Sequence, residues 1–465
     1  MEKGTEGSGE ANLADEPHLG VPWSRSDRRL PRFVARPLQQ FLRTEAAGGI
    51  LLLGATIVAL VWANCWNGSY AHVWQTDLTV SLGPWSISED LRHWVNDALM
   101  ALFFFVVGLE IKRELVSGEL RDPRAAALPA FGALGGMAVP ALIYAAINAG
   151  GEGFRGWGIP MATDIAFAVG VLAIVGRGLP SGLRLFLLTL AIVDDIGAIV
   201  VIAIFYSGGI SWAALASAAG LLCVIALLRR AQVRAMAIYV VLGLGVWLAV
   251  LESGVHATIA GVALGLLAPT VPFQRPSAVS QEAHRIADET LGEPVPADVD
   301  AHQWLRLANL SRETVSPLAR MESLLHPWTS FVIVPLFALA NAGVYLGGGA
   351  LGQGASSRIT IGVLVGLVAG KPLGITLAAW AATRLGLARL PHGVRWSQVL
   401  GVSAIAGIGF TVSLFIAGLA FAEDSALSAA KVGVLAASLT AGCIGSALLL
   451  LARRGAAGTP QGAAQ

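Results

Sequence analysis

The feature that most constrains this chain is the recurrence of apolar stretches, roughly 20 residues each, along most of its length. A helix of that length crosses a hydrocarbon core of about 30 Å, so each stretch predicts a transmembrane helix. The chain is 55% hydrophobic and only 13% charged, whereas soluble domains carry about 25% charged residues. Twelve stretches are apparent: 46–65, 94–111, 125–145, 157–175, 183–206, 212–228, 235–251, 254–271, 327–346, 359–382, 399–421 and 429–452.

An all-α membrane protein with twelve transmembrane helices is therefore expected, built as one membrane domain over residues 41–454. The flanking segments 1–40 and 455–465 are rich in Gly, Ala, Glu and Pro and are predicted to be disordered tails. Between spans eight and nine, the polar segment 272–320 predicts a long cytoplasmic loop. A short helix is expected at 281–291, and Pro294 and Pro296 are expected to break the structure that follows.

Residues 77–88, between the first two spans, have the pattern of a small β-hairpin. Apolar Leu78, Val80 and Leu82 alternate with polar residues, and Gly83-Pro84 supplies a turn. A lone hairpin is only marginally stable in water. We therefore expect this periplasmic hairpin to pair with a second subunit, which predicts a homodimer.

The distribution of positive charge predicts the orientation of the chain. Of the 31 Lys and Arg residues, Arg92, Arg155, Arg358 and Lys431 fall in odd-numbered loops and Lys371 lies within a span. The others fall in the tails and the even-numbered loops. The positive-inside rule then places both termini in the cytoplasm, as an even number of spans also requires.

Two spans are interrupted by glycine or proline at corresponding places in the two halves of the chain. Span four is interrupted around Ala162-Thr163-Asp164, and span eleven around Phe410-Thr411. Such pairs are typical of transporters built from inverted repeats, in which two discontinuous helices cross at the binding site. Close helix packing is the alternative reason for glycine in membrane spans.

Four ionisable residues lie within predicted spans: Asp164, Asp194, Asp195 and Lys371. Each costs roughly 2.5–3.5 kcal/mol on insertion scales, which favours a functional explanation for the set. Neighbouring helical residues point about 100° apart, so Asp194 and Asp195 cannot face the same way. One carboxylate can face an aqueous funnel and take an ion, while the other faces a neighbouring helix and can pair with Lys371.

The same residues indicate which ion is bound. Alkali cations prefer oxygen ligands, and no histidine or cysteine clusters with these aspartates to suit a transition metal. Removing a carboxylate from water favours its protonated form, so protons and Na⁺ compete for the same oxygens. Exchange follows if the site can become accessible from the other side of the membrane only when it is loaded with a proton or with Na⁺. No cofactor is expected, and with a net charge of +1 and no basic arm, no nucleic-acid partner either.

From about residue 41 to 453 the chain resembles the NhaA-type sodium/proton antiporters. The matching stretches, in family order, are WVNDALM (94–100), VGLEIKREL (107–115), ATDIAFA (162–168), IVDDIGA (192–198), SGVHAT (253–258), LHPW (325–328), GKPLG (370–374) and GIGFT (407–411). The resemblance implies an electrogenic Na⁺ (or Li⁺)/H⁺ antiporter, not an enzyme, that extrudes sodium across the bacterial inner membrane for pH and sodium homeostasis.

The resemblance also implies roles for individual residues. Asp195 is similar to the principal ion and proton ligand, Asp194 to a second titrating carboxylate paired with Lys371, and Thr163 to an auxiliary ligand. Asp164 resembles the charge that offsets the facing ends of the two broken spans.

Members of the family sense pH at their cytoplasmic face and dimerise through a periplasmic hairpin. The positions similar to the pH-sensing cluster are Glu110, Arg113, Glu114, Glu322 and His326. The chain departs from the family in a longer segment before Glu322, and Ser323 stands where the best-known members have histidine. For His256 two interpretations stay open: a neutral histidine hydrogen-bonded between helices, or a group that titrates near pH 7.

Two other functions fit parts of the sequence. A passive sodium channel would also need carboxylates in a pore, although channels usually build ligand rings from symmetric subunits. An intramembrane aspartyl protease would need two facing aspartates, and Pro140-Ala141-Leu142 is reminiscent of such enzymes. The chain lacks their Gly-x-Gly-Asp signature, and that tripeptide precedes every candidate aspartate.

Overall fold

A computed structural model describes residues 46–83, 85–176, 178–292, 297–345, 347 and 357–457. Most of this part of the chain is helical. The predicted tail 1–40, residues 458–465 of the predicted C-terminal tail, and Pro84, Pro294 and Pro296 lie outside the described residues.

The helices follow one another along the chain with short connections. The first four are α1 (Ala46–Cys65), α2 (Asn67–Trp74), α3 (Leu91–Ser117) and α4 (Pro123–Ile147). A 3₁₀ helix, Glu152–Met161, precedes α5 (Ile165–Val175), α6 (Ser181–Phe205), α7 (Trp212–Arg230), α8 (Met236–Glu252) and α9 (Thr258–Leu266). The remainder are α10 (Pro276–Gly292), α11 (Ala297–Glu313), α12 (Pro317–Asn341), α13 (Arg358–Arg384), α14 (Trp396–Ile405), α15 (Phe410–Ala420) and α16 (Asp424–Ala457).

Within the described ranges, eight helices are long and apolar enough to cross a membrane: α1, α3, α4, α6, α7, α12, α13 and α16. Two helix pairs are bent at short breaks. In the first bent pair the 3₁₀ helix meets α5 at 46°, and in the second bent pair α14 meets α15 at 49°. Counting each pair as one span gives up to ten, so a multi-pass membrane protein is confirmed and the number twelve stays a prediction.

The predicted hairpin is confirmed as a two-stranded antiparallel sheet. Strand β1 (Asp77–Leu82) pairs with β2 (Trp85–Asp90), so the sheet extends two residues beyond the predicted end. The Trp94 indole nitrogen of α3 donates a hydrogen bond to the Leu78 carbonyl at 2.9 Å. The hairpin is thereby fixed to the start of α3.

The polar segment 272–320 forms a helical hairpin. The predicted short helix lies within the longer α10, which ends at Gly292, before the two prolines. A further helix that the sequence did not predict, α11, begins at Ala297. A helix can start directly after a proline, since its first N–H groups need no partner within the helix. The Glu313 carboxylate at the end of α11 accepts a 3.0 Å ion pair from Arg234, in the α7–α8 connection.

Two helix pairs pack backbone against backbone through glycine. A side chain at Gly261 of α9 would overlap the Ala101 carbonyl oxygen of α3. Likewise, a side chain at Gly374 of α13 would overlap the Gly135 carbonyl oxygen of α4. Small residues of this kind allow membrane helices to approach closely. These contacts form an α3–α9 seam and an α4–α13 seam.

Candidate ion-binding site

The middle of α6 carries Asp194 and Asp195, whose side chains are removed from the surface. Their exposed fractions are 0% and 6%. Because successive helical residues point about 100° apart, the two carboxylates meet different surroundings. Asp194 Oδ2 accepts hydrogen bonds from Lys371 Nζ at 2.6 Å and lies 2.7 Å from Thr163 Oγ1. The structure thus brings together Asp194, Lys371 and Thr163, as the sequence suggested.

Lys371 enters this site from α13, directly after a π-helical turn at Gly366–Gly370. Turns of this kind occur frequently at functional sites. Lys371 is fully buried and also donates to the carbonyl oxygen of Met161, the last residue of the 3₁₀ helix. The last carbonyls of a helix lack partners within it and carry partial negative charge. One ammonium therefore serves both a carboxylate and a helix C-terminus.

Asp164 accepts hydrogen bonds at two helix N-termini, whereas Lys371 donates one at a helix C-terminus. Its Oδ1 accepts from the Phe167 amide of α5 at 2.9 Å. Its Oδ2 accepts from the amide and the hydroxyl of Thr411 in α15, at 3.1 and 2.6 Å. A carboxylate at this position satisfies free amides and offsets the partial positive charge of a helix start. Asp164 does so for both bent pairs at once.

The breaks of the two bent pairs are bonded to each other. The Asp164 amide donates to the Ile408 carbonyl at 2.7 Å, and Ser413 Oγ donates to the Ile159 carbonyl at 2.7 Å. The first bond joins two backbone groups, and in the second a side-chain hydroxyl donates to a backbone carbonyl of the 3₁₀ helix. The two breaks therefore meet at one place, beside the aspartates of α6.

Thr163 stands between a carboxylate and a backbone carbonyl. Its Oγ1 is 2.7 Å from Asp194 Oδ2 and 2.9 Å from the Ala406 carbonyl oxygen. Both neighbours are acceptors, but a hydroxyl has a single proton to donate. Thr163 thus donates to one of the two at a time.

Asp195 differs from Asp194 in having no side-chain hydrogen bond to any described residue, and its Oδ1 is buried. Asp194 Oδ1 is also buried without a partner in the described part of the chain. Two buried carboxylate oxygens with no donors are suited to a hard cation. Among the described residues, no group of three or more His, Cys, Asp or Glu side chains that could hold a metal ion occurs. The cation is here the transported substrate.

A second charged group, which we call the α3 charge cluster, lies at the far end of α3 and the start of α12. Arg113 forms an ion pair with Glu322 and lies 3.4 Å from Glu114. Glu110 is within electrostatic reach of these three side chains. His326 is exposed, and in the described ranges no hydrogen bond or ion pair joins its ring to the other four. The structure brings together four of the five predicted residues.

Some partners in the ion site were not singled out from the sequence. Thr411 was visible as the last residue of the GIGFT motif, but nothing in the sequence joined it to Asp164. The Met161 and Ala406 carbonyls carry no side-chain signal at all. Their only sequence indication is that each precedes a predicted interruption of a span. His256 lies beside Phe415, with ring centroids 6.3 Å apart.

Comparisons of the sequence with known proteins identify its family. The sequence model of the family described as Na+/H+ antiporter 1 matches residues 39–449. The Na(+)/H(+) antiporter NhaA 2 of Sorangium cellulosum is 48% identical over 426 residues, covering 90% of this chain and 91% of that protein. The Na(+)/H(+) antiporter NhaA of Rhodopirellula baltica is 47% identical over 437 residues, covering 94% and 97%. The chain therefore belongs to the Na+/H+ antiporter 1 family and is a sodium/proton antiporter.

Proposed function

We propose that this antiporter extrudes Na⁺ or Li⁺ across the bacterial inner membrane in exchange for protons, at a site formed by Asp194 and Asp195. One observation carries the proposal. Of two adjacent buried carboxylates, one is held by a buried lysine, and the other makes no hydrogen bond with the described residues. The comparisons support neither a sodium channel nor an intramembrane protease.

Exchange follows from the cost of an empty, charged site. An unpaired carboxylate away from water is expensive, and either a proton or a cation removes that cost. Asp195 supplies oxygens that take one or the other. The loaded site can therefore change its exposure to the two sides of the membrane, while the empty charged site cannot. That restriction couples the outward movement of Na⁺ to the inward movement of protons.

Lys371 makes the exchange electrogenic in this proposal. When Na⁺ binds to the Asp194 carboxylate, Lys371 loses its charged partner and gives up a proton. The neutral Lys371 amine keeps its hydrogen bond to the Met161 carbonyl. Asp195 releases a second proton, so two protons leave for each Na⁺ taken up. Each elementary charge moved across 100 mV contributes about 2.3 kcal/mol. The membrane potential would then drive Na⁺ outward even where the pH gradient is small.

Asp164 and Thr163 hold the site in shape in this scheme. The Asp164 carboxylate, buried with 2% exposed, balances two helix starts and carries no ion. Thr163 follows the state of Asp194 with its single hydroxyl proton and can join the ligands of the ion.

We infer that the α3 charge cluster adjusts activity to pH. Glu110, Arg113, Glu114 and Glu322 form a partly exposed set of mixed charge whose balance changes with protonation. His326 is included on the sequence resemblance alone. Exposure to the cytoplasm gives such a set access to the proton concentration that the antiporter regulates.

The proposed topology has twelve spans in inverted repeats and both termini in the cytoplasm. Each bent pair is taken as one discontinuous span, and the short helices α8 and α9 are taken as spans as well. That assignment adds four spans to the eight long apolar helices. Positive residues then lie mainly on the cytoplasmic side, as the positive-inside rule requires.

We propose that the β-hairpin mediates a homodimer. Leu78 and Val80 of β1 are 46% and 52% exposed, so the strand carries apolar side chains that another subunit can cover. Deleting residues 79–87 should leave exchange in each subunit and shift the detergent-solubilised protein toward monomer in light scattering after gel filtration. An unchanged dimer would place the interface elsewhere.

The test of the proposed function uses purified protein in liposomes that contain a pH-sensitive dye and hold an acidic interior. Addition of Na⁺ or Li⁺ should release protons and restore the fluorescence, whereas K⁺ should not, over a scan of pH. Sodium uptake without proton release would contradict antiport through this site. Equal responses to all three ions would contradict the proposed selectivity.

A further inference from the structure

Ser438 of α16 makes a hydrogen bond to the first residue of a different helix. Its Oγ accepts from the Phe410 amide, the start of α15, at 3.2 Å. The exposed fractions of Ser438 and Phe410 are 5% and 3%. The first amides of a helix have no acceptor within that helix, and at a buried site water does not replace a lost one.

Phe410, the donor of this bond, is followed in the sequence by Thr411, which contacts Asp164. The Phe410 amide donates a hydrogen bond to Ser438, and the next amide, that of Thr411, donates one to Asp164. The Thr411 hydroxyl donates a hydrogen bond to Asp164 as well. Neighbouring amides in the first helical turn move together, so whatever fixes Phe410 also fixes the two groups that Thr411 offers to Asp164.

We propose that Ser438 is a positioning residue for sodium/proton exchange, acting through the first turn of α15 on Asp164. The inference rests on the proposed ion site. In the described part of the chain no hydrogen bond joins Ser438 to Asp194 or Asp195, so we assign it no part in holding the ion or the proton. Its contribution is to keep the second bent pair in the arrangement that presents Thr411 to Asp164.

The expected consequence is a defect in cation affinity. Without the Ser438 acceptor, the Phe410 amide is buried and unsatisfied, and the first turn of α15 moves to find another partner. The Asp164 carboxylate then balances its two helix starts less well, and the charge around Asp194 and Asp195 changes. We expect the apparent KM for Na⁺ to rise about tenfold, the effect of losing one buried hydrogen bond, with little change in kcat.

The experiment compares Ser438→Ala with two other variants in proteoliposomes. Thr440→Ala is the matched control, because the Thr440 hydroxyl donates to the Ala436 carbonyl at 2.7 Å, a bond within its own helix that involves neither bent pair. Ser438→Thr keeps the acceptor oxygen and should restore the parental KM. Melting temperatures in detergent show whether each variant is folded.

The inference is overturned if folded Ser438→Ala has the parental KM, or if Thr440→Ala raises KM equally. A folded Ser438→Thr variant that keeps the raised KM also overturns it. Combined with Asp164→Asn, Ser438→Ala should add less than its separate effect, because both act on one network. Failure of the proposed ion site would appear differently, as Na⁺-driven proton release that survives Asp195→Asn.

Discussion

The ion site and the α3 charge cluster contain the same kind of interaction in two different environments. In the ion site, Lys371 pairs with Asp194, and both side chains are 0% exposed. In the cluster, Arg113 pairs with Glu322, and their side chains are 43% and 14% exposed. Both pairs join helices distant in the sequence, so chain separation does not distinguish them. Access to water does.

The difference in solvent access separates a pair that transport requires from one that adjusts it. Removing one partner of a buried pair leaves an uncompensated charge and costs about 3–5 kcal/mol. An exposed pair contributes about 0–1 kcal/mol and is screened by salt. We therefore expect large effects that are insensitive to salt in the ion site, and small, salt-dependent effects in the cluster.

The largest effect is expected for Asp195→Asn, which should abolish exchange while the protein stays folded. An amide can neither hold the proton nor neutralise the ion. The measurement is Na⁺-dependent proton release from acid-loaded proteoliposomes, with the melting temperature as a check on folding. Substantial release by the folded variant would remove Asp195 from the ion site.

Replacing Lys371 should have the next largest effect. Lys371→Gln leaves Asp194 without its charged partner, so we expect lower thermal stability and a loss of the response to membrane potential. The measurement is Na⁺-driven proton movement with the potential clamped at zero by valinomycin and K⁺, compared with an imposed potential. Lys431→Gln, which removes another buried lysine, 6% exposed, is the matched control and should keep the response.

An intact protein whose rate and equilibrium ignore an imposed potential would contradict the role of Lys371. Exchange would then be electroneutral, and one proton would move for each Na⁺.

Asp164→Asn should impair transport only in part. A charge at a helix start contributes up to about 2 kcal/mol, which corresponds to a loss of cation affinity of about 10- to 30-fold. The apparent KM for Na⁺, measured at the pH of maximal activity, gives this loss. Complete inactivity, as for Asp195→Asn, would instead indicate that Asp164 binds the ion directly.

The smallest effect is expected in the α3 charge cluster. Glu322→Gln should move the pH of half-maximal activity by less than about one unit, because an exposed pair contributes at most about 1 kcal/mol. Choline chloride at high concentration should reduce that shift. Glu282→Gln, which removes a similar exposed pair with Arg285 at 2.8 Å, should leave the pH profile unchanged. A shift that salt does not weaken would place Glu322 in a buried network.

Much of the ion site was predictable because charge inside a membrane span is rare and expensive. That rule selected Asp164, Asp194, Asp195 and Lys371 from the sequence alone, and the structure places all four side chains in the interior. The β-hairpin was predictable as well, since alternation of apolar residues around a turn is a local signal.

Apart from the pairing of Asp194 with Lys371, what the sequence could not provide was the partner of each group. The Met161 carbonyl that meets Lys371 and the Ser438 hydroxyl that meets Phe410 depend on how distant helices cross. Backbone carbonyls look the same at every position of a sequence, and serine is common in membrane helices for many reasons. The helix α11 was missed for a different reason: prolines end a helix from within but permit one to begin after them.

The two glycine seams have a mechanical consequence. Where backbones touch, as at Gly261 with α3 and at Gly374 with α4, neither helix can slide along its partner without a collision of main-chain atoms. The two helices of each seam are therefore expected to move together as one rigid unit. A conformational change that opens the ion site first to one side and then to the other therefore has to leave both seams intact and move other contacts between helices.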